Sequence, residues 1–484
     1  MPGALRLSDY VESERARIET TLFDWLRIPS ISAQPDHAGD VRRSAEFTAR
    51  ILEEAGFEHV TILETAGAPS VYGDWLHAGD GAPTALVYGH HDVQPVDPLD
   101  LWTSPPFEPV VVDGECRARG AIDDKGQVLY EIEAARGLLH TEGRLPVNLK
   151  VLVEGEEEVG SPNFEVLLDT ERDRLACDVV VVSDTGMWAA DVPSTCVGMR
   201  GLIAFDVHVR TAAADLHSGV FGGSVPNPAH LLANLVAALH DDKGRVTLDG
   251  FYDDVRPLTD SEEASLRALP FDEATWRRTA GVARLEGEEG RSTLERVWTR
   301  PTCDVTGISA GYTGDGIKTI VPAEGGAKVT FRLVPDQLPA RVAEAFGRFV
   351  GEHVPEGTEV TVTPEGGGVA PSLTPVDHPY VGALTRAIER VWGRAPLFTR
   401  EGGSGPEEAL GRVLDAPVLF LGVGLPDDRI HAPNERMVMD QFWRGLLAAG
   451  ELWHELAAVG TPSEAEASVA GAARRRSPHE RAAR

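Results

Sequence analysis

The chain has 484 residues, 42% hydrophobic and 25% charged, which is ordinary globular usage and long enough for two or three domains. This composition excludes a mainly disordered, collagen-like or coiled-coil protein. Asp and Glu number 76 against 45 Lys and Arg, giving a formal net charge of −31. Such a surface repels phosphate backbones and anionic lipids, which argues against nucleic-acid or membrane binding as the main function.

The cysteines and the N-terminal segment indicate the compartment. No two cysteines form a C-x-x-C pair, so we expect reduced and mostly buried thiols at Cys116, Cys177, Cys196 and Cys303. The first residues contain no apolar run of the signal-peptide type, and no apolar stretch is long enough to span a membrane. We therefore expect a cytoplasmic protein.

The first half of the chain alternates helices and short apolar strands. Helical spacing of apolar residues predicts helices over 8–27 and 43–55, the second ending at Gly56, and a further helix over 125–139. Continuous apolar runs predict buried strands at 60–63, 85–88, 149–153 and 179–182. This alternation indicates an α/β fold with an open sheet flanked by helices.

The pattern changes near residue 200. Residues 202–209 and 329–334 alternate in the manner of antiparallel strands, and a helix is predicted between them at 228–240. A helix at 378–392 and a strand at 418–421 then resume the first pattern. We therefore predict a discontinuous catalytic domain (1–198 and 376–461), an inserted α+β lid or dimerisation domain (199–375) and a disordered tail (462–484).

Polar clusters follow the predicted strands of the first pattern. His90-His91-Asp92, Glu156-Glu157-Glu158 and Asp184 each come after an apolar strand, and Asp123-Asp124 precedes a helix. The carboxyl ends of strands in an open α/β sheet are where ligands gather. Carboxylates crowded there repel one another unless a cation neutralises them, and imidazole with carboxylate suits zinc or manganese. Two ions sharing a carboxylate could hold a water between them.

Several longer motifs appear together and in a fixed order. They are GHHDVQP (89–95), RGAIDDKG (119–126), EGEEEVGS (154–161), SD (183–184), DLHSG (215–219), REGGS (400–404) and HAPNE (431–435). This set resembles the dinuclear-metal peptidases that include carnosine dipeptidases, aminoacylase and carboxypeptidase G. The DLHSG and REGGS elements point to the carnosine-dipeptidase-like branch.

The resemblance implies a metal-ligand set with two divalent ions per subunit, zinc first and manganese or cobalt as alternatives. In this reading His90 and Asp184 bind one ion, Glu158 and His431 bind the other, and Asp123 bridges both.

The resemblance also implies the hydrolytic roles. Asp92 would orient His90 and raise its basicity. Glu157 would be the general base, taking a proton from a water that bridges the two ions and passing it to the leaving nitrogen.

Five residues are candidates for substrate contact. In the family pattern His217 crosses a homodimer interface to stabilise the oxyanion in the partner's active site, and Thr319 is supplied in the same way. Arg332 resembles the residue that holds the substrate's carboxylate, which a guanidinium matches with two hydrogen bonds. Glu401 and Ser404 would line the substrate pocket.

Three other residues of these motifs are not expected to take part in the chemistry. His91 is expected to point away from the metals, since successive strand residues face opposite sides. Asp124 is expected to cap the helix that follows it, and Glu156 to be solvated.

The sequence leaves the substrate open. The first hypothesis is a metal-dependent hydrolase, a metallopeptidase or dipeptidase-type protease acting on dipeptides or short peptides. An N-acyl-amino-acid or carbamoyl amidohydrolase would use the same chemistry, and Gly186 stands where the family usually has a pocket Tyr. Glu401 favours the peptidase, because a carboxylate can pair with a free amine.

A metal-dependent binding or scaffold protein is a third hypothesis, against which the presence of Glu157 argues. A two-metal phosphatase is a weaker fourth hypothesis, because the sequence shows no evident cluster of Arg and Lys that would hold phosphate.

Overall fold

The computed structural model describes residues 6–403 and 405–461, and these form two compact units. Unit 1 contains residues 6–197, 374–399 and 409–461 of the described chain. Unit 2 contains residues 198–373 and the described part of 400–408. The chain therefore leaves unit 1, builds unit 2 and returns.

The helices and strands are numbered along the chain. The helices are α1 (Leu7–Leu26), α2 (Ala38–Ala55), α3 (Lys125–Glu142), α4 (Phe164–Thr170), α5 (Arg172–Leu175), α6 (Ser218–Phe221), α7 (Pro228–Ala238), α8 (Asp260–Ala268), α9 (Glu273–Ala280), α10 (Thr293–Trp298), α11 (Pro339–His353), α12 (Pro379–Trp392), α13 (Glu407–Val413) and α14 (Met439–Val459). The strands are β1 (Glu58–Leu63), β2 (Ser70–Trp75), β3 (Thr84–His90), β4 (Val110–Val112), β5 (Glu115–Arg117), β6 (Asn148–Glu154), β7 (Val179–Val182), β8 (Ser194–Met199), β9 (Gly201–Arg210), β10 (Leu216–His217), β11 (Thr302–Ala310), β12 (Ile320–Val321), β13 (Glu324–Leu333), β14 (Glu359–Pro364), β15 (Ser372–Leu373), β16 (Leu397–Glu401), β17 (Val418–Phe420) and β18 (Arg436–Val438).

Unit 1 is built on a six-stranded mixed sheet with the order β1-β2-β6-β3-β7-β17. Strands β6, β3, β7 and the edge strand β17 are parallel to one another, whereas β2 pairs antiparallel with β6 and β1 pairs antiparallel with β2. The expected open mixed sheet is confirmed. Because the parallel strands run in one direction, the segments that follow them emerge at the same edge of the sheet.

The core of unit 1 joins this sheet to long helices. α3 packs against α1 and α14, and α14 also packs against α12. Trp25 and Trp453 are fully buried in this core. The predicted end of α2 is confirmed, since Gly56 closes it in the left-handed conformation at φ 96°. The α3 helix is buried over most of its length, which holds its N-terminal end, just after Asp123, in a fixed position.

Unit 2 has a four-stranded antiparallel sheet with the order β11-β13-β9-β14. β9 alternates buried and partly exposed residues, because one face packs on α7 and α11. Phe205, Phe331 and Phe346 meet there with ring centroids 4.7–5.9 Å apart. A separate two-residue ladder pairs β10 with β12. The expected α+β character of this segment is confirmed.

Residues 400–408 depart from the predicted domain limits. The sequence assigned them to the catalytic domain, whereas the structure groups them with unit 2. Arg400 is buried and forms an ion pair with Glu262 of that unit, and the Glu401 carbonyl accepts the Arg200 backbone N–H at 3.1 Å. Contacts between residues so far apart in the chain cannot be predicted from a local sequence pattern. The predicted tail at 462–484 lies outside the described residues.

The four cysteines are free, and three of them are buried. Among the helices of the described residues, none has the length and apolar character needed to cross a membrane.

Candidate metal centre

Each of the four parallel strands of the unit 1 sheet ends at, or is followed by, a candidate ligand. His90 is the last residue of β3, Glu158 lies in a short turn after β6, and Asp184 follows β7. Asp123 directly precedes the loop into α3, and His431 lies between β17 and β18. The parallel strands thus carry these side chains to one edge, as their positions in the sequence led us to expect.

Asp123 lies at the middle of this group. Its Oδ1 is 3.0 Å from His90 Nε2, and its Oδ2 is 2.9 Å from His431 Nε2. Asp184 Oδ2 lies 3.6 Å from His90 Nε2, and Glu158 Oε2 lies 3.1 Å from His431 Nε2. One carboxylate therefore faces two imidazoles, and each imidazole has a second carboxylate beside it.

Glu157 lies close to the same group. Its Oε2 is 4.0 Å from His90 Nε2, and 21% of its side chain is exposed. Ligand atoms of His90, Glu157 and Asp184 lie within 4.8 Å of one another, as do those of His90, Asp123 and Glu158. Glu157 thus has access both to the candidate ligands and to solvent.

The carboxylates of this group titrate abnormally. Burial, with repulsion from neighbouring carboxylates, raises the pKa of Glu157, of Glu158 and of Asp184 to about 7. Burial also acts on Asp123, but hydrogen bonds with His431 and His90 outweigh it and hold the pKa of Asp123 well below its usual range. Negative charge is therefore concentrated in a space that cannot hold it without positive charge.

The residues fit divalent metal ions. Glu158 Oε1 is buried and has no hydrogen-bond partner within the described chain, although a buried carboxylate oxygen normally has one. Imidazole nitrogens mixed with carboxylate oxygens form a donor set that suits zinc, manganese or cobalt. Cations at this position would satisfy that oxygen and offset the repulsion.

Asp92 organises one side of the group. Its Oδ1 lies 3.3 Å from His90 Nδ1, the nitrogen that faces away from the candidate metals. The same carboxylate accepts the backbone N–H of Glu157 at 3.3 Å and that of Glu158 at 3.1 Å. Gln94, to which the sequence reasoning gave no role, donates its amide to Glu158 Oε2 at 2.8 Å. The buried Asp92 carboxylate therefore positions the His90 ring and the backbones of Glu157 and Glu158.

Three expectations for neighbouring residues have different outcomes. His91 does point away, with Nε2 3.0 Å from a backbone carbonyl oxygen, so that prediction is confirmed. Asp124 does not cap α3 through its side chain, because it accepts the His90 backbone N–H at 3.1 Å instead. The expectation for Glu156 is also wrong: it is 4% exposed and accepts the Ala68 backbone N–H.

The candidates for substrate contact lie in unit 2. His217 is exposed at the end of β10, and exposed Thr319 lies just before the paired strand β12. Arg332 is half-buried on β13. Glu401, half-buried at the end of β16, has a pKa raised by burial. Ser404 lies outside the described residues.

Comparison with known proteins assigns the family. Residues 86–455 match peptidase family M20/M25/M40. The chain belongs to this family. Human Beta-Ala-His dipeptidase is 30% identical over 454 residues, covering 90% of each chain. A Cys-Gly metallodipeptidase of Schizosaccharomyces pombe is 30% identical over 475 residues, covering 94% of this chain and 98% of the relative.

A solved structure supports the same family assignment. An M20-family metallo-carboxypeptidase from Sulfolobus solfataricus superposes with a TM-score of 0.79 at 32% identity, covering 91% of this chain and 99% of that one. The resemblance inferred from the motifs is confirmed, and the protein is a metallopeptidase. Membership of the family also implies divalent metal ions, in agreement with the fit of the clustered ligands.

Proposed function

We propose that this protein is a dinuclear metallopeptidase that hydrolyses dipeptides or other short peptides. The observation that carries the proposal is Asp123, whose two oxygens face His90 and His431 separately. That geometry suits a carboxylate shared by two ions. His90 and Asp184 would hold one ion, and Glu158 and His431 the other. Zinc is proposed, with manganese or cobalt as alternatives.

The side chains divide the work of amide hydrolysis. Bound divalent ions supply Lewis acidity, which polarises the scissile carbonyl and makes water a stronger nucleophile. Glu157 takes the proton of the attacking water and then delivers it to the leaving nitrogen. Burial raises the pKa of Glu157 above the usual range of a glutamate, which favours its holding the proton between the two transfers. Asp92 fixes the His90 ring, and it fixes the Glu157 backbone by accepting its N–H.

The names of the relatives and two side chains support a peptide substrate. The relatives are named as dipeptidases for Beta-Ala-His and Cys-Gly and as a metallo-carboxypeptidase. An unmodified dipeptide has a free amine at one end and a free carboxylate at the other. Arg332 is proposed to hold that carboxylate, and Glu401 the free amine, with Ser404 and Thr319 as further contacts. An N-acyl substrate has no amine charge for Glu401 to pair with.

The N-acyl alternative has weaker support. Gly186 stands where the family usually has a pocket Tyr, and the N-acyl alternative needs the space of that side chain to be empty. A Cβ at Gly186 would lie 2.6 Å from the Gly424 carbonyl oxygen, so backbone already occupies the space beside it. The position therefore does not itself open a larger pocket.

A substrate panel tests the proposal. Protein stripped with a chelator is resupplied with zinc, manganese or cobalt and offered dipeptides, their N-acetyl forms and N-carbamoyl amino acids. We expect metal-restored cleavage of the dipeptides. Glu401→Gln should lose activity on free-amine substrates and retain whatever activity exists on N-acetyl ones. Cleavage of the N-acyl compounds alone would move the enzyme to the amidohydrolases.

We further propose a homodimer in which the partner subunit's His217 stabilises the developing oxyanion. Complementation between inactive variants tests this. Glu157→Gln and His217→Ala proteins are each expected to be inactive. A mixed dimer would contain one site with both residues intact, so mixing after dissociation should restore activity. An active monomer, or a mixture that stays inactive despite forming mixed dimers, would contradict the shared site.

The cytoplasm is proposed as the compartment. Four free cysteines support a reducing environment. Fractionation of cells with an antibody to the chain would test this proposal, and recovery in a secreted fraction would refute it.

A further inference from the structure

Glu435 is a buried carboxylate next to the candidate metal centre that the proposed chemistry does not use. It lies four residues after His431 and is fully buried. Its Oε2 accepts Arg119 Nη1 at 2.7 Å and the Gly120 backbone N–H at 3.0 Å. Its Oε1 accepts the backbone N–H of Ile122 at 3.0 Å and of Asp123 at 3.2 Å.

These four hydrogen bonds define what Glu435 can do. Each carboxylate oxygen already accepts two N–H groups, so both are saturated and neither is available to a metal. Three of the donors belong to the loop that ends in Asp123. The side chain therefore holds the backbone that presents the bridging carboxylate.

Arg119 extends the connection to other ligand segments. Its Nη2 lies 3.1 Å from the Pro95 carbonyl oxygen, three residues beyond Asp92, and 3.5 Å from the Ala432 carbonyl oxygen, next to His431. Arg119 is itself 1% exposed. A single buried ion pair thus touches all the segments that carry His90, Asp123 and His431.

His431 depends on such support more than the other ligands do. Half of its side chain is exposed, so packing does not fix the ring. Its backbone is left-handed at φ 61°, a region that non-glycine residues rarely adopt without support from surrounding structure. Glu435, four residues further along the chain, is a fully buried anchor of this segment.

We propose that Glu435, together with Arg119, is a positioning residue that couples the Asp123 loop to the His431 loop, so that both ligands of the same ion are placed together. The inference rests on the proposed dinuclear centre. Substitutions of groups that orient metal ligands typically weaken metal affinity about 10–100-fold.

Titration of chelator-treated protein with cobalt(II), followed by its visible absorption, tests the proposal. Wild type is expected to bind two equivalents. Glu435→Gln should weaken the binding step of the ion that Glu158 and His431 would hold about 10–100-fold. In a His431→Ala background the same substitution should weaken that step little further, because both changes act on the same ion, and any effect through Asp123 on the other ion appears in the other step. This non-additivity is a reading that a merely structural role would not give.

Two further variants keep the test decisive. Glu133→Gln is the matched control, since Glu133 is also a buried carboxylate paired with an arginine, the partly exposed Arg17, but holds no ligand segment. It should leave both cobalt steps unchanged. Arg119→Lys keeps the positive charge but loses the guanidinium contacts with the Pro95 and Ala432 carbonyl oxygens. It is used in place of Glu435→Gln if the Glu435→Gln protein does not fold.

The outcomes separate this inference from the proposed function. If wild type fails to bind two cobalt ions, the dinuclear centre is wrong and the inference falls with it. If wild type binds two and Glu435→Gln binds them equally well, only the positioning role is wrong. Effects of Glu435→Gln and His431→Ala that simply multiply, or an equal loss in Glu133→Gln, would also overturn it.

Discussion

The two units hold their functional candidates in opposite ways. In unit 1 His90 is fully buried, and Asp123 contacts two imidazoles through separate oxygens. In unit 2 His217 and Thr319 are exposed, on or beside a ladder of only two residue pairs. His90 and Asp123 are fixed by their own surroundings, whereas His217 and Thr319 are not.

The difference separates chemistry from recognition. Ligands that must hold metal ions at short distances need positions set before substrate arrives, and burial with hydrogen bonds supplies this. Exposed residues on short elements can adapt to a substrate or to a partner subunit. Changes in unit 1 should therefore affect metal content and turnover, and changes in unit 2 should affect substrate binding with the metals retained.

The largest effect is expected at Asp123. Asp123→Asn removes the charge that two ions would share, so metal content should fall below two per subunit. Activity should fall about 1,000-fold or more, since metal ions supply several kcal/mol of charge stabilisation. Asp206→Asn is the control in unit 2, where the carboxylate pairs with exposed Lys328. Retention of two ions in Asp123→Asn, measured by elemental analysis, would remove the bridging role.

A second change separates metal binding from proton transfer within unit 1. Glu157→Gln should lower kcat about 100–10,000-fold while two ions stay bound, because a carboxamide cannot accept the proton. Metal content and kcat are measured on the same sample. Loss of an ion would instead make Glu157 a ligand, a role that its distance to His90 also permits.

In unit 2 the effect should appear in KM. Arg332→Lys keeps the charge but loses the two-pronged match to a carboxylate. KM for a dipeptide should rise about 10–100-fold, the cost of a charged hydrogen bond. The C-terminal amide of the same peptide is the comparison substrate, and its already weak binding should change little. A fall in metal content would contradict the separation between the units.

The smallest expected effect concerns stability in unit 1. Glu131 is buried beside Ser183, and burial raises its pKa to about 8. A carboxyl whose pKa is higher folded than unfolded stabilises the protein at low pH, and that contribution is lost as pH rises towards 8. Glu131→Gln cannot ionise, so its melting temperature relative to wild type should rise between pH 5 and pH 9. A constant offset across this range would show that Glu131 does not titrate there.

The clustering of the candidate ligands could be predicted from the sequence for a physical reason. His90, Glu158 and Asp184 each follow a continuous apolar run, and such runs indicate parallel strands whose ends meet. Contacts between segments far apart in the chain could not be predicted in this way. The burial of Glu156 and the grouping of residues 400–408 with unit 2 depend on partners far away in the chain.

The supporting residues show the same limit. Asp92 was expected to orient His90, but its hydrogen bonds with two glutamate backbones depend on how the turn after β6 lies. Glu435 lies in a recognised motif, yet only the structure reveals that it holds the Asp123 loop. Sequence patterns thus located the reactive atoms better than the atoms that hold them.

The discontinuity of unit 1 has a consequence for biosynthesis. His90, Asp123, Glu158 and Asp184 leave the ribosome before any part of unit 2, whereas the edge strand β17 and His431 follow after all of it. Until then the nascent chain carries an unpaired β7 edge, and three carboxylates and one imidazole of the candidate site without His431. A site that needs His431 would therefore be completed only at the final stage of synthesis, and a prematurely terminated chain would expose the β7 edge to pairing with other chains.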